Sequence, residues 1–501
     1  MEAKLEELKT RLLEIGDLES ATALLHWDQS TYMPESGAAA RGQQMATLGR
    51  ISHEKFIEPE IGKLLDDLQP YADELPYDDD DASLIRVTRR DYDQATKVPP
   101  DFIAQLYAHM SESYGVWVKA RPENDFDTVQ PYLEKTLDLS RRFAEYFPGY
   151  DHIADPLIDL HDYGMKAATV GALFAELRDQ LVPLVQAISE QPLADDSVIR
   201  LNYPEEKQLA FGKEVIKQYG YDYKRGRQDK TVHPFMIKFS IDDVRITTRV
   251  KEDYLNDGLF STLHECGHAL YELGLNHAYE GLPLASGTSS GAHESQSRLW
   301  ENQVGRSRSF WTHFYPKLQG VFPDQLTDVP LDTFFRAINK VERSLLRTDA
   351  DEVTYNLHVM IRFDLELAML EGKLAVKDLP DAWDARYESD LGLKAPDNRD
   401  GVMQDIHWYG GIIGGAFQGY TLGNIMSALF FEQAIKANPE IPSEIGKGEF
   451  GSLHSWLMEN IYQHGRKYTA AELVERTTGG PLTITPYISY LRRKYGELYQ
   501  L

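Results

Sequence analysis

Cysteine is almost absent from this chain: Cys266 stands alone in 501 residues. An intrachain disulfide is therefore excluded, and the usage fits a reducing compartment. Basic residues are also scarce, 52 Lys and Arg against 79 Asp and Glu, for a formal net charge of -27. That balance argues against nucleic acid or an anionic membrane as partner and for a soluble protein. No apolar run approaches the roughly 18 residues that a bilayer span needs. Ser/Gly tracts, Pro tracts and internal repeats are missing too. No separable linker is found, and a single unit over residues 1–501 is expected. The opening Met-Glu-Ala-Lys-Leu-Glu-Glu-Leu reads as a charged amphipathic helix and not a signal peptide, so the expected compartment is the cytoplasm.

Helical periodicity dominates what is present. It runs through 3–15, 101–120, 128–146, 169–190, 205–219, 332–346, 354–373 and 484–499. Strand signals are rare. In the stretch 236–250, two alternating runs flank Asp242-Asp243 and predict a hairpin, a small sheet able to line one wall of a cleft. The fold class expected is mainly α. The acidic run Asp78–Asp81 suits an exposed helix N-terminus or loop.

Chemistry is stated most directly by His264-Glu265-Cys266-Gly267-His268, a His-Glu-x-x-His pattern inside a predicted helix over 257–273. Two histidines four apart lie about 40° apart around a helix, so both can reach one ion, with the glutamate beside it. Asn256 or Asp257 can cap the start and Gly274 can end the helix. Leu259, Leu263, Cys266, Leu270 and Leu273 share an apolar face, which leaves the histidines facing elsewhere. Cys266 falls about 200° from His264 and is expected in the core.

A catalytic zinc needs a third protein ligand and an open position. Glu272, one turn past His268, is too close on the same helix to surround an ion. Glu280 falls in a predicted loop. Glu294 follows the loop 281–291 and opens a second helix from His293 that can lie opposite the first. From spacing alone Glu294 is either that ligand or a solvated first-turn glutamate. Residues 409–423 are glycine-rich without a Gly-Lys-Ser/Thr ending, which excludes a phosphate loop. These glycines permit close backbone approach, either to a substrate strand or to another helix.

The chain resembles the Taq-type zinc metallocarboxypeptidases over nearly its whole length. The resemblance is carried by His233-Pro234-Phe235, Asp243-Val244-Arg245-Ile246-Thr247, the motif at 264–268, His293-Glu294-Ser295-Gln296, Leu346-Arg347-Thr348-Asp349-Ala350-Asp351 and Gly401-Val402-Met403-Gln404-Asp405-Ile406-His407-Trp408. Leu25-His26-Trp27-Asp28-Gln29, Met33-Pro34 and Arg41 match as well. Each is weak alone; together and in order they are specific. The family implies a two-lobed, helical, zincin-like metallopeptidase with a deep groove, usually a homodimer. It implies removal of single C-terminal residues from peptides with broad specificity, with zinc, or cobalt in its place. Carried over, His264, His268 and Glu294 are the expected ligands, Glu265 the general base and Arg347 the partner of the substrate carboxylate. Leu346 replaces the commoner isoleucine, and Ala416-Phe417-Gln418 replaces an expected Tyr-Phe-Pro, which alters that wall.

A tetrahedral oxyanion needs a hydrogen-bond donor besides the metal. Tyr420 is the first choice, with Tyr409 and His407 behind it; each can instead be simple packing. Without the resemblance, Arg347 reads first as part of an ion-pair cluster with Asp349, Asp351 and Glu352. His233 and Arg245 are expected near the groove, as substrate contacts or as scaffold. Two other functions share the motif: a zinc oligopeptidase or dipeptidyl carboxypeptidase, and a metal-stabilised binding protein without turnover. Retention of Glu265 argues against the latter.

Overall fold

A computed structural model describes all 501 residues, Met1–Leu501. Helix makes up 67% of it, and the one sheet has three strands. The mainly α expectation is met, although several boundaries differ. The first helix runs Glu2–Thr31 and not 3–15. Its apolar stripe Leu5, Leu8, Leu12 and Ile15 is buried, but only Trp27 is buried beyond it, so the helical period fades where the helix leaves that core and packs on the helix Ala38–Phe56. The segment predicted as helix 332–346 stops at Ile338. There Asn339 Nδ2 donates to Phe335 O and Arg306 O, satisfying end carbonyls and releasing the chain into an extended path towards Arg347.

The sheet is built from β1 (Gln228–Lys230), β2 (Met236–Ser240) and β3 (Asp243–Thr248) in the order β1-β3-β2. β2 and β3 form the expected antiparallel hairpin, with a register shift between Lys238 and Ser240. β1 adds in parallel to β3. Its three residues are too few for an alternating pattern to announce it. Thr262 Oγ1 donates to Thr248 Oγ1 at 3.1 Å, which joins the motif helix to β3.

Two hydrophobic clusters divide the buried side chains. The smaller, 13 residues, joins the helices Glu2–Thr31, Pro59–Glu74 and Asp80–Lys97 to Tyr279 and Leu284. The larger, 104 residues, spans most of the rest of the chain, including the buried face of the motif helix. The segment after the motif helix thus reaches from one core to the other. Asp79 caps the helix Asp80–Lys97 by accepting from the Asp81 and Ala82 amides, so the acidic run is a helix N-terminus. No helix is long and apolar enough to cross a membrane.

Candidate metal centre and active site

The motif helix spans Leu255–Leu273. Leu259, Leu263, Cys266 and Leu270 are buried on its core face as expected. The capping expectation fails: neither Asn256 nor Asp257 caps the start. Arg249 and Lys251, just past the sheet, take up the Asp257 carboxylate instead. Gly274 does end the helix, its amide reaching back to Leu270 O and Tyr271 O.

The second helix, Ser290–Arg298, starts three residues before the predicted His293, with Ser289 capping the Ala292 amide at 3.0 Å. Two glycines let it close on the site. A Cβ on Gly267 would lie 2.5 Å from Gln296 O, and one on Gly423 would lie 2.6 Å from Glu294 Cβ. Any larger residue at either position would push a helix away. Gly423 belongs to the helix Gln418–Ala437, so the glycine-rich segment here serves helix packing.

Glu294 is thereby brought between the two histidines. Its Oε2 lies 3.6 Å from His264 Nε2 and 3.4 Å from His268 Nε2. Four ligands about 2.1 Å from a tetrahedral ion stand about 3.4 Å from one another, so both separations match the edges of such a site, and all three atoms lie within 4.8 Å of one another. No other group of three His, Cys, Asp or Glu in the structure meets this spacing. The rejected candidates are engaged elsewhere: Glu280 accepts from the Ile241 amide, and Glu272 pairs with Lys238 at 2.6 Å.

A ring of partners missed in the sequence orients the ligands. His264 Nδ1 is 2.9 Å from Glu301 Oε2. His268 Nδ1 is 2.6 Å from His293 Nδ1, and His293 Nε2 is 2.9 Å from Glu272 Oε1. Arg298 Nε donates to Glu294 Oε1 at 2.7 Å, and Ser297 Oγ donates to Oε2, the oxygen that faces both histidines, at 3.0 Å. Glu301 sits in the π-helical turn Leu299–Gly305, a feature often found at functional sites. Its spacing of seven from Glu294 places both on one helical face, a signal that was available. Imidazole ligands held at their outer nitrogen are a usual requirement of metal sites.

The electrostatics favour a cation. Burial would raise Glu294, but Arg298, His264 and His268 hold it well below the usual carboxylate range. Burial likewise raises Glu301, yet the His264 contact and Arg298 bring it down to about 2. Burial, helped by His293, lowers His268 to about 4, the neutral form a metal requires. Burial also lowers His264, but Glu294 and Glu301 outweigh it and raise it. The field that favours a proton there favours a metal ion in its place. Glu265 lies outside the His-His-Glu group. Burial, partly offset by His264, raises it to about 7, in the range of a general base at neutral pH. Cys266 is buried and its thiol pushed up, away from the ligands.

The other expected residues divide. His407 and Tyr420 come together, Nε2 to Oη at 3.3 Å, and the Arg347 guanidinium lies 5.2 Å from the Tyr420 ring. Arg347 does not pair with Asp349, Asp351 or Glu352. It donates to Asp405 through Nε and Nη2, and through Nη1 to Tyr355 Oη at 2.9 Å. Asp351 caps its own turn, and Glu352 binds Lys494, Tyr490 and Tyr495. Tyr409 requires correction as a substrate contact: it is 0% exposed and stacked on Trp117 at 5.7 Å. For Tyr409 the packing alternative holds. Arg245 is also committed, donating twice to Asp243 at 2.8 Å beneath Trp27 and Phe239, a scaffold contact. His233 stays exposed, in a shallow cleft shared with His26 and Phe235. Its charge environment, set first by burial and then by Arg249, Arg347 and His407, lowers its pKa.

Known proteins resemble this chain along its whole length. The model of the Carboxypeptidase Taq (M32) metallopeptidase family matches residues 7–495. The chain is 41% identical to Thermostable carboxypeptidase 1 of Thermus thermophilus, covering 99% of each. It is 35% identical to Carboxypeptidase 1 of Bacillus subtilis, covering 98% of this chain and 97% of that one. The crystal structure of an M32 carboxypeptidase from Deinococcus radiodurans superposes with a TM-score of 0.97 at 49% identity, over 100% of both chains. A His-His-Glu centre on a helical fold and a match along almost the entire chain lead to one conclusion: this protein belongs to the M32 metallocarboxypeptidases, metal-dependent peptide hydrolases that act at the C-terminus.

Proposed function

We propose that the chain is a zinc carboxypeptidase that releases single residues, with His264, His268 and Glu294 holding the ion and Glu265 as general base. The observation that carries this is the approach of Glu294 Oε2 to both His Nε2 atoms, at 3.4 and 3.6 Å, with Glu265 adjacent and free of any ligand role. A bound zinc supplies positive charge to the scissile carbonyl and lowers the pKa of a water it holds to about 7. Cobalt is expected to substitute. Glu265 takes the proton of the attacking water and delivers it to the leaving amine. Tyr420, with His407 on its hydroxyl, donates to the carbonyl oxygen as it becomes an oxyanion. Arg347 meets the terminal carboxylate, and His233, at the exposed edge before β2, borders the path of the chain upstream.

Residues 1–501 act as one catalytic unit around the groove. The net charge and lone cysteine support a cytoplasmic enzyme, and the family resemblance supports a homodimer. Mass spectrometry of a defined peptide digested with and without a chelator tests the reading. Stepwise loss of one C-terminal residue at a time, abolished by chelation and restored by zinc, is expected. Release of dipeptides, or internal cleavage, overturns it.

A further inference from the structure

Asp405 serves two arginines at once. Arg347 donates to it from Nε at 3.2 Å and from Nη2 at 2.8 Å, and Arg362 donates from Nε. Both arginines are buried, 8% and 0% exposed. On its other side, Asp405 Oδ1 lies 3.7 Å from His407 Nδ1, a buried nitrogen with no hydrogen-bond partner. The far nitrogen of that ring faces Tyr420 Oη at 3.3 Å. One carboxylate therefore borders both the arginine assigned to the substrate terminus and the pair assigned to the scissile carbonyl.

The hydrogen-bond inventory shows what this does to Arg347. A guanidinium carries five N–H groups. Nε and Nη2 each give one to Asp405, and Nη1 gives one to Tyr355. One N–H is left on each terminal nitrogen, the pair a carboxylate can accept in bidentate fashion. The charge inventory agrees. Two guanidinium groups face one carboxylate, and burial, with Arg362 and Arg347 beside it, holds His358 well below its usual range and so neutral. In this patch Arg347, Arg362 and Asp405 together carry one net positive charge, which suits a single incoming anion.

We propose that Asp405 is a positioning residue that couples recognition of the terminal carboxylate to catalysis, by fixing the fork of Arg347 and turning His407 towards Tyr420. The proposal rests on the roles given above to Arg347 and Tyr420. Removing Asp405 alone leaves two unbalanced buried guanidinium groups and endangers folding. The variant of choice is Asp405→Asn with Arg362→Met, which preserves the net charge of the patch.

The test compares kcat and KM of metal-loaded wild type, Arg347→Ala and the double variant on a peptide and on its C-terminal amide. Wild type is expected to favour the free acid by about 10–100-fold, and Arg347→Ala to lose this preference. The double variant should lose the preference too, and in addition show kcat on the amide reduced by about tenfold or more, through the unanchored His407–Tyr420 pair. That second loss separates coupling from a merely misplaced arginine. Should the double variant fail to fold, Asp405→Glu, which keeps the charge but shifts it, is expected to give both effects in smaller measure. Amide turnover equal to that of Arg347→Ala, or an intact preference, overturns the role of Asp405 alone. A wild type indifferent to amidation overturns the role of Arg347 and this inference with it.

Discussion

Gly423 presses on Glu294: a methyl group on the glycine would lie 2.6 Å from both Cβ and Cγ of the glutamate. Glu294, the third ligand proposed, is thus held from behind by the backbone of the helix Gln418–Ala437. Gly423→Ala should displace Glu294 and weaken metal binding by about 10–100-fold, the range seen when a ligand loses its support. Competition titration with a chromogenic chelator measures this. Unchanged affinity in a folded variant would show that the helix yields instead.

Glu265→Gln should retain the metal and the fold but lose turnover by several orders of magnitude, because the attacking water loses its proton acceptor. Elemental analysis and peptide hydrolysis on one preparation make the comparison. Near-normal turnover with full metal content refutes the assignment. In the converse case, His264→Ala should lose the ion, and full occupancy would remove His264 from the ligand set.

Glu301 holds His264 through its outer nitrogen at 2.9 Å. Glu301→Gln removes the charge while keeping an acceptor, so metal affinity should fall by about 10-fold or more with little change in ligand geometry. Isothermal titration with zinc and cobalt reports it, and equal affinities for wild type and variant would make Glu301 purely structural.

Arg347→Ala is expected to lower kcat/KM on free-acid peptides by about one to two decades, since a partly shielded charged contact contributes roughly 1.5–3 kcal/mol. Amidating the peptide should harm wild type similarly and the variant little further, because both changes break one contact. Additive losses would place the terminal carboxylate elsewhere.

Glu366 gives a pH-dependent prediction remote from the metal. It accepts from Trp408 Nε1 at 2.8 Å, and its second oxygen has no partner. Burial raises its pKa from 4.5 to about 7. Between those values the folded chain holds a proton that the unfolded chain releases, so this group costs stability as pH rises, by about 1.4 kcal/mol per unit. Below pH 4.5 the cost vanishes, and above about 7 it is complete. Glu366→Gln should therefore be neutral to slightly destabilising at pH 4.5 and more stable than wild type at pH 8. Denaturant unfolding at both values checks the sign, and a difference independent of pH refutes it.

The legible parts of this protein were those set by neighbours in the chain. The phase of His264, Glu265 and His268, the inward face of Cys266 and the β2–β3 hairpin follow from helical and strand periods. The helix Glu2–Thr31 was read short because its later turns, packed on the helix Ala38–Phe56, bury only Trp27 and carry no apolar stripe. Tyr409 was misplaced because glycines beside it signal close approach without saying to what.

Local sequence determined that two imidazoles and a carboxylate would share one turn of helix, because a 3.6-residue period leaves them no alternative. Tertiary structure decided the rest. Spacing could not choose between a ligand and a solvated glutamate at position 294, since the choice depends on how closely Gly267 and Gly423 let two helices approach. Nor could it show that Arg347 turns from its neighbouring acids to Asp405, 58 residues away in the chain. A buried guanidinium needs a carboxylate where the fold provides one, and that place is set by packing between distant segments.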